Sequence, residues 1–177
     1  QRGVNYDNHD AITVNHELKT VGLQQTLEKY KWDALILGIR RDEDGTRAKE
    51  KFFSPRNVDF EWDYKDQPPE LWDQFNTDFG PGTHVRVHPL LEWTEVDVWR
   101  YIQRESIPTV ELYFAKNGKR YRTLGCHPIT RPVESEADTI DRIIEELGST
   151  RVAERVGRMQ DHISPYAMQK LRAKGYM

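Results

Sequence analysis

The sequence predicts an α/β fold organised on a parallel sheet. Three observations lead there: a continuous apolar run at 34–37, an alternating stretch at 84–91, and helical periodicity before, between and after them. "NHELKTVGLQQTLEKY" (15–30) reads as the first helix, capped by Asn15, with Leu18, Val21 and either Leu23 or Leu27 on its buried side. In "WDALILGI" the uninterrupted Ala34, Leu35, Ile36 and Leu37 suit a strand covered on both faces. Residues 54–83 are rich in Pro, Gly, Asp and Asn, with Trp62, Trp72 and Phe75 among them. They read as a long ordered loop with room for one short helix, because the aromatics need burial. "HVRVHPLL" gives the second strand. "WTEVDVWRYIQRE" starts a helix with Thr94 as N-cap, Asp97 at the capping-box position, and Val98, Tyr101 and Ile102 along one face. "SEADTIDRIIEELG" carries the clearest helical stripe, Ile140, Ile143, Ile144 and Leu147, with Gly148 as its stop. The tail is basic, with Arg151, Arg155, Arg158, Lys170, Arg172 and Lys174.

Bulk properties narrow the function classes. A chain of 177 residues fits one domain, yet a hydrophobic share of 37% and a mean hydropathy of −0.83 are polar for a self-sufficient one. It begins with Gln1 and is expected to be a piece of something longer. Charged residues make up 31% and nearly balance, at net −3, so no general affinity for nucleic acid follows. A single cysteine excludes an internal disulfide framework and suits a reducing, cytoplasmic compartment. No apolar run approaches the ~18 residues of a membrane span, and nothing resembles a signal peptide.

Two segments can carry chemistry. In an open α/β sheet, ligands bind beyond the carboxyl ends of the strands, and a charged run, "RRDEDGTRAKEKF" (40–52), begins there. Gly38 would let the backbone turn, Arg40, Arg41, Arg47 and Lys49 would face the crevice, and Asp42, Glu43 and Glu50 would orient those cations. Guanidinium groups bind phosphate or sulfate in bidentate fashion; the plainer alternative is a solvated loop of mixed charge. The second segment is "KRYRTLGCHPIT" (119–130), where Lys116, Lys119, Arg120 and Arg122 lead into a turn bracketed by Gly125 and Pro128. Its Cys126 is open to four readings: nucleophile, metal ligand, redox thiol, or a small turn residue, the last being common for free cysteine. The six histidines are scattered without a metal-binding spacing; His84 and His88 share a strand face but stand too far apart for one ion. No GxxxxGK[ST] loop and no SxGKDS-type loop occurs, so a phosphate cradle is not found in this chain.

Together, "GIRRDEDGTRAKEK", "QPPELW", "VRVHPLLEWTEVDVWRYI", "RYRTLGCHPIT", "VES", "IIEEL", "ERVGR" and "KGYM" resemble the smaller, catalytic subunit of bacterial ATP sulfurylases. These belong to the PP-loop family, which also holds the phosphoadenylylsulfate reductases. The resemblance spans nearly the whole chain. It implies a PP-loop-type α/β domain over 1–105 with an inserted loop at 54–83, then a helical, loop-rich C-terminal region over 106–177. The sequence resembles the C-terminal two-thirds of such a subunit, and lacks the longer insertion usual before "RTLGC". The resemblance implies transfer of the adenylyl group of ATP, as its Mg²⁺ complex, to sulfate, with a GTPase partner subunit. It assigns catalysis to Arg40 and Arg41, and substrate or nucleotide binding to Gly38, Asp42, Glu43, Arg47, Lys49, Arg122, Thr123 and Gly125; it implies no resident metal. It makes Cys126 a turn residue, since the reductase branch carries its cysteine near the C-terminus. A thiol-dependent reductase and a non-catalytic partner-binding module are the alternatives.

Overall fold

The computed structural model describes residues 3–72, 74–80 and 84–158. A three-stranded sheet is built from β1 (Ala34–Ile36), β2 (Phe53–Arg56) and β3 (His84–Val87), in the order β1-β3-β2. β1 runs parallel to β3, with Ala34 opposite Val85 and Ile36 opposite Val87, as the α/β class requires. β2 is antiparallel to β3, so the sheet is mixed and part of the expected loop is a strand. Pro55 is tolerated in β2 because the strand lies on an edge. No helix forms over the described residues of 54–83. Trp62 is buried there as expected, but Trp72 is 87% exposed, and Phe75 gains only partial cover against Phe52 and Phe53.

β1 departs from expectation. It is the other edge strand, and Ile36 is 73% exposed, because no described element packs on that side chain's face. The alternation expected in β3 is present with its sense inverted. His84, Arg86 and His88 turn inward, while Val85 and Val87 are half-buried. The buried face is therefore ionic. Arg56 donates to Ser54 Oγ (2.7 Å) and Glu50 (3.2 Å) and lies over the Trp62 ring; His88 Nδ1 donates to the Lys51 carbonyl (2.7 Å). Burial, with Arg86 and Arg56 adding, pushes His84 down to about 4 and keeps it neutral.

The first helix also differs in phase. It comprises α1 (Ala11–Asn15), a π-helical stretch (His16–Val21) and α2 (Gly22–Tyr30). Asp10, not Asn15, starts it: Asp10 Oδ1 accepts the Thr13 N–H (3.0 Å), whereas Asn15 is buried and already helical. The wider π turn rotates the stripe, so Val14, Thr20 and Leu27 are buried and Leu18 is 59% exposed.

α3 (Glu95–Arg104) carries the expected capping box between Thr94 and Asp97. α4 (Ile140–Ser149) is capped by Thr139 and ends one residue beyond Gly148. The helices share an apolar cluster of Trp99, Ala137, Ile143 and Leu147, flanked by Val96, Ile102, Tyr113, Phe114, Ile140 and Ile144. Tyr101 lies outside it, edge-on to Trp93. A small ribbon, β4 (Lys119–Arg120) with β5 (Val133–Glu134), sets the start of the second chemical segment. The tail cations Lys170, Arg172 and Lys174 lie outside the described residues.

Candidate active site

The charged run leaves the sheet beside the ends of β1 and β3. The Leu37 N–H still donates to the Val87 carbonyl, and the Arg41 N–H to that of Leu91 (both 2.9 Å). The run then folds into two 3₁₀ turns, Arg41–Glu43 and Gly45–Arg47, the second capped by Asp44. These turns send neighbouring side chains in opposite directions. Arg40 and Arg47 go inward and are buried; Arg41 goes outward to Glu92 (2.9 Å) and the Glu50 carbonyl (3.0 Å).

A network of paired charges surrounds Arg40. Its Nε donates to Asp42 (3.0 Å), its Nη1 lies 3.5 Å from Glu43, and its Nη2 donates to Glu154, which also faces Tyr113. Arg47 donates to Glu43. The other oxygen of Asp42 accepts the Glu95 N–H at the start of α3 (2.7 Å). Glu95 in turn receives Arg122 through Nε and Nη2 (2.7–3.1 Å), and Arg122 Nη1 donates to the Val152 carbonyl (2.6 Å). Arg155 stands 3.8 Å from Asp44. Between these groups lies a cavity of about 110 Å³. Arg40, Arg122, Glu95 and Glu154 form its polar walls; Val98, Trp99, Ile102 and Tyr113 complete it.

The site's electrostatics follow from this crowding. Burial pushes Glu154 up to about 7, with Glu95, Glu43 and Asp42 adding to the rise and Arg40 opposing it. One guanidinium shared by three carboxylates does not offset that burial. For Arg40 burial works the other way, but Glu154, Glu43 and Asp42 outweigh it and hold the charge firmly. Arg122 is likewise raised against burial by Glu95. Burial lowers Arg47, aided by Arg155.

Of the residues singled out in the sequence, Arg40, Asp42, Glu43, Arg47 and Arg122 meet in this network. Lys49 does not: it is exposed, its Nζ 4.4 Å from the Tyr64 ring centre. Gly38 needs no glycine-specific backbone, and a Cβ there would meet only Leu90 at 4.0 Å. Thr123 and Gly125 serve Arg158, which donates to Thr123 Oγ1 (3.3 Å) and the Leu124 carbonyl (2.6 Å). A Cβ on Gly125 would fall 1.4 Å from the Arg158 guanidinium, so glycine there leaves that side chain its place. Lys119 and Arg120 are used elsewhere, on Glu134 and Glu146.

Glu95 and Glu154 were the residues sequence reasoning missed. Glu95 is hidden inside a helix-start signal, and Glu154 is an isolated acid in a basic tail. Cys126 is half-buried ahead of the 3₁₀ turn His127–Ile129, its Sγ 3.9 Å from Asn15 Oδ1. Burial alone would raise its thiol; Tyr6, Lys19 and Arg158 outweigh burial and leave it below the ordinary value.

Residues 3–132 match the phosphoadenosine phosphosulfate reductase domain family. The chain is 43% identical over 205 aligned positions to a sulfate adenylyltransferase subunit 2 of Citrifermentans bemidjiense, covering 99% of this chain and 68% of that protein. Proteins with the same description from Rhizobium sp. (strain N33) and Sulfurimonas denitrificans are 41% and 40% identical, over 98% and 99% of the chain. These alignments are longer than the 177 residues of the chain, so the relatives hold internal residues with no counterpart here. The charged run, the α3 start and the RTLGC turn, which supply Arg40, Glu95 and Arg122 to the cavity's walls, fall within the matched span, while Glu154 lies beyond it; the chain belongs to the phosphoadenosine phosphosulfate reductase domain family, with the sulfate adenylyltransferase subunit 2 proteins as its relatives.

Proposed function

We propose that this chain is part of a sulfate adenylyltransferase that joins ATP and sulfate to give adenylyl sulfate and pyrophosphate. One observation carries the reading: the charged run and the RTLGC segment, distant in sequence, converge on a single cavity walled by the buried Arg40 and the half-buried Arg122. In the reaction a sulfate oxygen forms a bond to the α-phosphorus of ATP. The bond from that phosphorus to the pyrophosphate oxygen breaks, and pyrophosphate leaves with the electron pair. Sulfate is a weak nucleophile, so the protein's task is to hold two anions in line and to present donors to charge developing on the phosphoryl oxygens. Arg40 and Arg122 are assigned to the smaller anion, which would compete for the donors they now give to Glu154 and Glu95. Arg41 and Lys49, on the outer side of the loop, are assigned to the phosphates, with Arg47 fixing Glu43. Gly38, Thr123 and Gly125 shape the two binding segments.

Among the described residues no group of three or more His, Cys, Asp or Glu could hold a metal ion, and the cavity's carboxylates each face a guanidinium. These residues do not fit a resident Mg²⁺. The ion would arrive on the phosphates of ATP, and no step is routed through it. The equilibrium opposes adenylyl sulfate, so a partner subunit that hydrolyses GTP would supply the drive; the description "subunit 2" of the relatives supports a partner. A cytoplasmic location suits this chemistry, and among the described residues no helix is long and apolar enough to cross a membrane.

The test is sulfate-dependent pyrophosphate release by the full-length protein with its partner. Arg40→Ala is expected to lower kcat/KM by about 10²–10³-fold, the scale of one lost oxyanion donor. A change below about threefold would remove Arg40 from the mechanism. The lowered thiol of Cys126 favours a second reading, thiol-dependent reduction of adenylyl sulfate. Full activity in Cys126→Ser would end it.

A further inference from the structure

A second pocket, of about 370 Å³, lies at the amino-terminal end of the parallel strand pair, where Asp33 precedes β1 and His84 opens β3. The charged run leaves from the other end. The pocket takes Leu27 from α2, Trp32 from the residues after it, Val58 and Phe60 from the loop that follows β2, and His84 from β3. Adenylyl transfer uses none of these residues.

His84 is the group that lacks an explanation. It is 6% exposed, yet among the described residues no hydrogen bond reaches its imidazole, and Nε2 is enclosed without a partner. Buried polar atoms are normally paired, because the water they give up has to be replaced. Burial, with Arg86 and Arg56, keeps the ring neutral, so it carries one acceptor nitrogen and one N–H, both unused.

We propose that this pocket binds a small, neutral, flat heteroaromatic molecule, laid along Trp32 with a ring N–H donated to the His84 imidazole. The site is independent of the adenylyl-transfer reading.

Flatness follows from the aromatic walls. The Trp32 indole stacks on Tyr30, with centroids 5.3 Å apart and 12° between planes, and is still 46% exposed. A held aromatic surface therefore stands open to a second ring. Phe60 lies against His84, 5.4 Å between centroids. Size follows from the volume, which falls within the ~300–1,000 Å³ of small-molecule sites. Neutrality follows from two opposed effects. Burial, Arg86 and Arg56 disfavour positive charge beside His84, even with Glu50 bound to Arg56. Glu28 and Asp33, exposed in the lining and outnumbering Lys31, disfavour an anion.

The backbone adds an independent sign. Lys31 (φ 52°) and Phe60 (φ 65°) both adopt the left-handed conformation that side chains rarely take, and both line this pocket. Asn57 Oδ1 accepts the N–H groups of Asp59 (3.0 Å) and Glu61 (2.8 Å), which fixes the loop around Phe60. Strain of this kind concentrates where a ligand is clamped.

Ligand-detected NMR titration of indole against the full-length protein with its partner tests this. Indole is expected to bind with a Kd below about 10 mM, weak because the probe has few atoms. Benzofuran, the same shape with oxygen in place of the N–H, should bind at least about threefold more weakly, the scale of one net hydrogen bond. Two substitutions at accessible positions complete the test: Trp32→Ala should weaken indole at least about threefold, and Val58→Trp, at a side chain 66% exposed, should fill the pocket and abolish binding. No binding of indole up to about 10 mM, equal affinity for benzofuran, or binding that survives either substitution unchanged would overturn the proposal.

Discussion

The pairing of Glu95 with Arg122 shows how one carboxylate at a cavity wall can be fully compensated while its neighbour at the other wall shares its cation with two more acids. Glu95 accepts from Nε and Nη2 of the half-buried Arg122, whose Nη1 donates to the Val152 carbonyl. Removing it by Glu95→Ala would leave Arg122 charged in a poorly hydrated place, at a cost of about 3–5 kcal/mol, read by urea denaturation. Glu154 behaves oppositely. Its folded-state value is raised, so between about pH 4.5 and about 7 the folded protein binds more protons here than the unfolded chain. Its effect on stability is therefore a loss as pH rises through that window, and stability falls by up to a few kcal/mol. Glu154→Gln should remove this slope, which urea titrations at pH 5 and pH 8 would show. Neither role was legible in the sequence. Arg40 and Arg122 could be picked out as cations beside turns, but their partners lie 114 and 27 residues away, and no local pattern marks such a pair.

At the scale of elements, legibility followed locality. The α3 start was readable because a capping box closes within four residues, and the α4 stripe because its periodicity is self-contained. Thr94→Ala is accordingly expected to cost about 1 kcal/mol of stability by thermal or urea unfolding. Ile143 is fully buried between those helices, and Ile143→Ala should cost about 2–5 kcal/mol in the same assay. The first helix was misread because its apolar spacing presumes 3.6 residues per turn, and the π stretch from His16 to Val21 breaks that count. β2 was missed because "FSPR" has neither alternation nor a β-branched run, and its pairing with β3 supplies what the local sequence lacks.

Across the molecule the described interior is unusually ionic. Arg56, Arg120, His88 and Glu50 are among its most deeply buried side chains, next to Leu91 and Ile143. This accounts for a polar composition in a chain that still folds into sheet and helix: part of the inner volume is filled by paired charges instead of hydrocarbon. The hydrophobic share alone could not reveal it, because composition does not say which arginines are inside. Directional pairs also restrict how elements fit together, and they make order of assembly matter. The cavity needs Glu154 to meet Arg40 across 114 residues of chain. During synthesis the charged run emerges first, with Arg40 waiting for a carboxylate not yet made. The cavity is thus a late product of folding, and a ribosome paused before Glu154 would carry a sheet but no closed cavity.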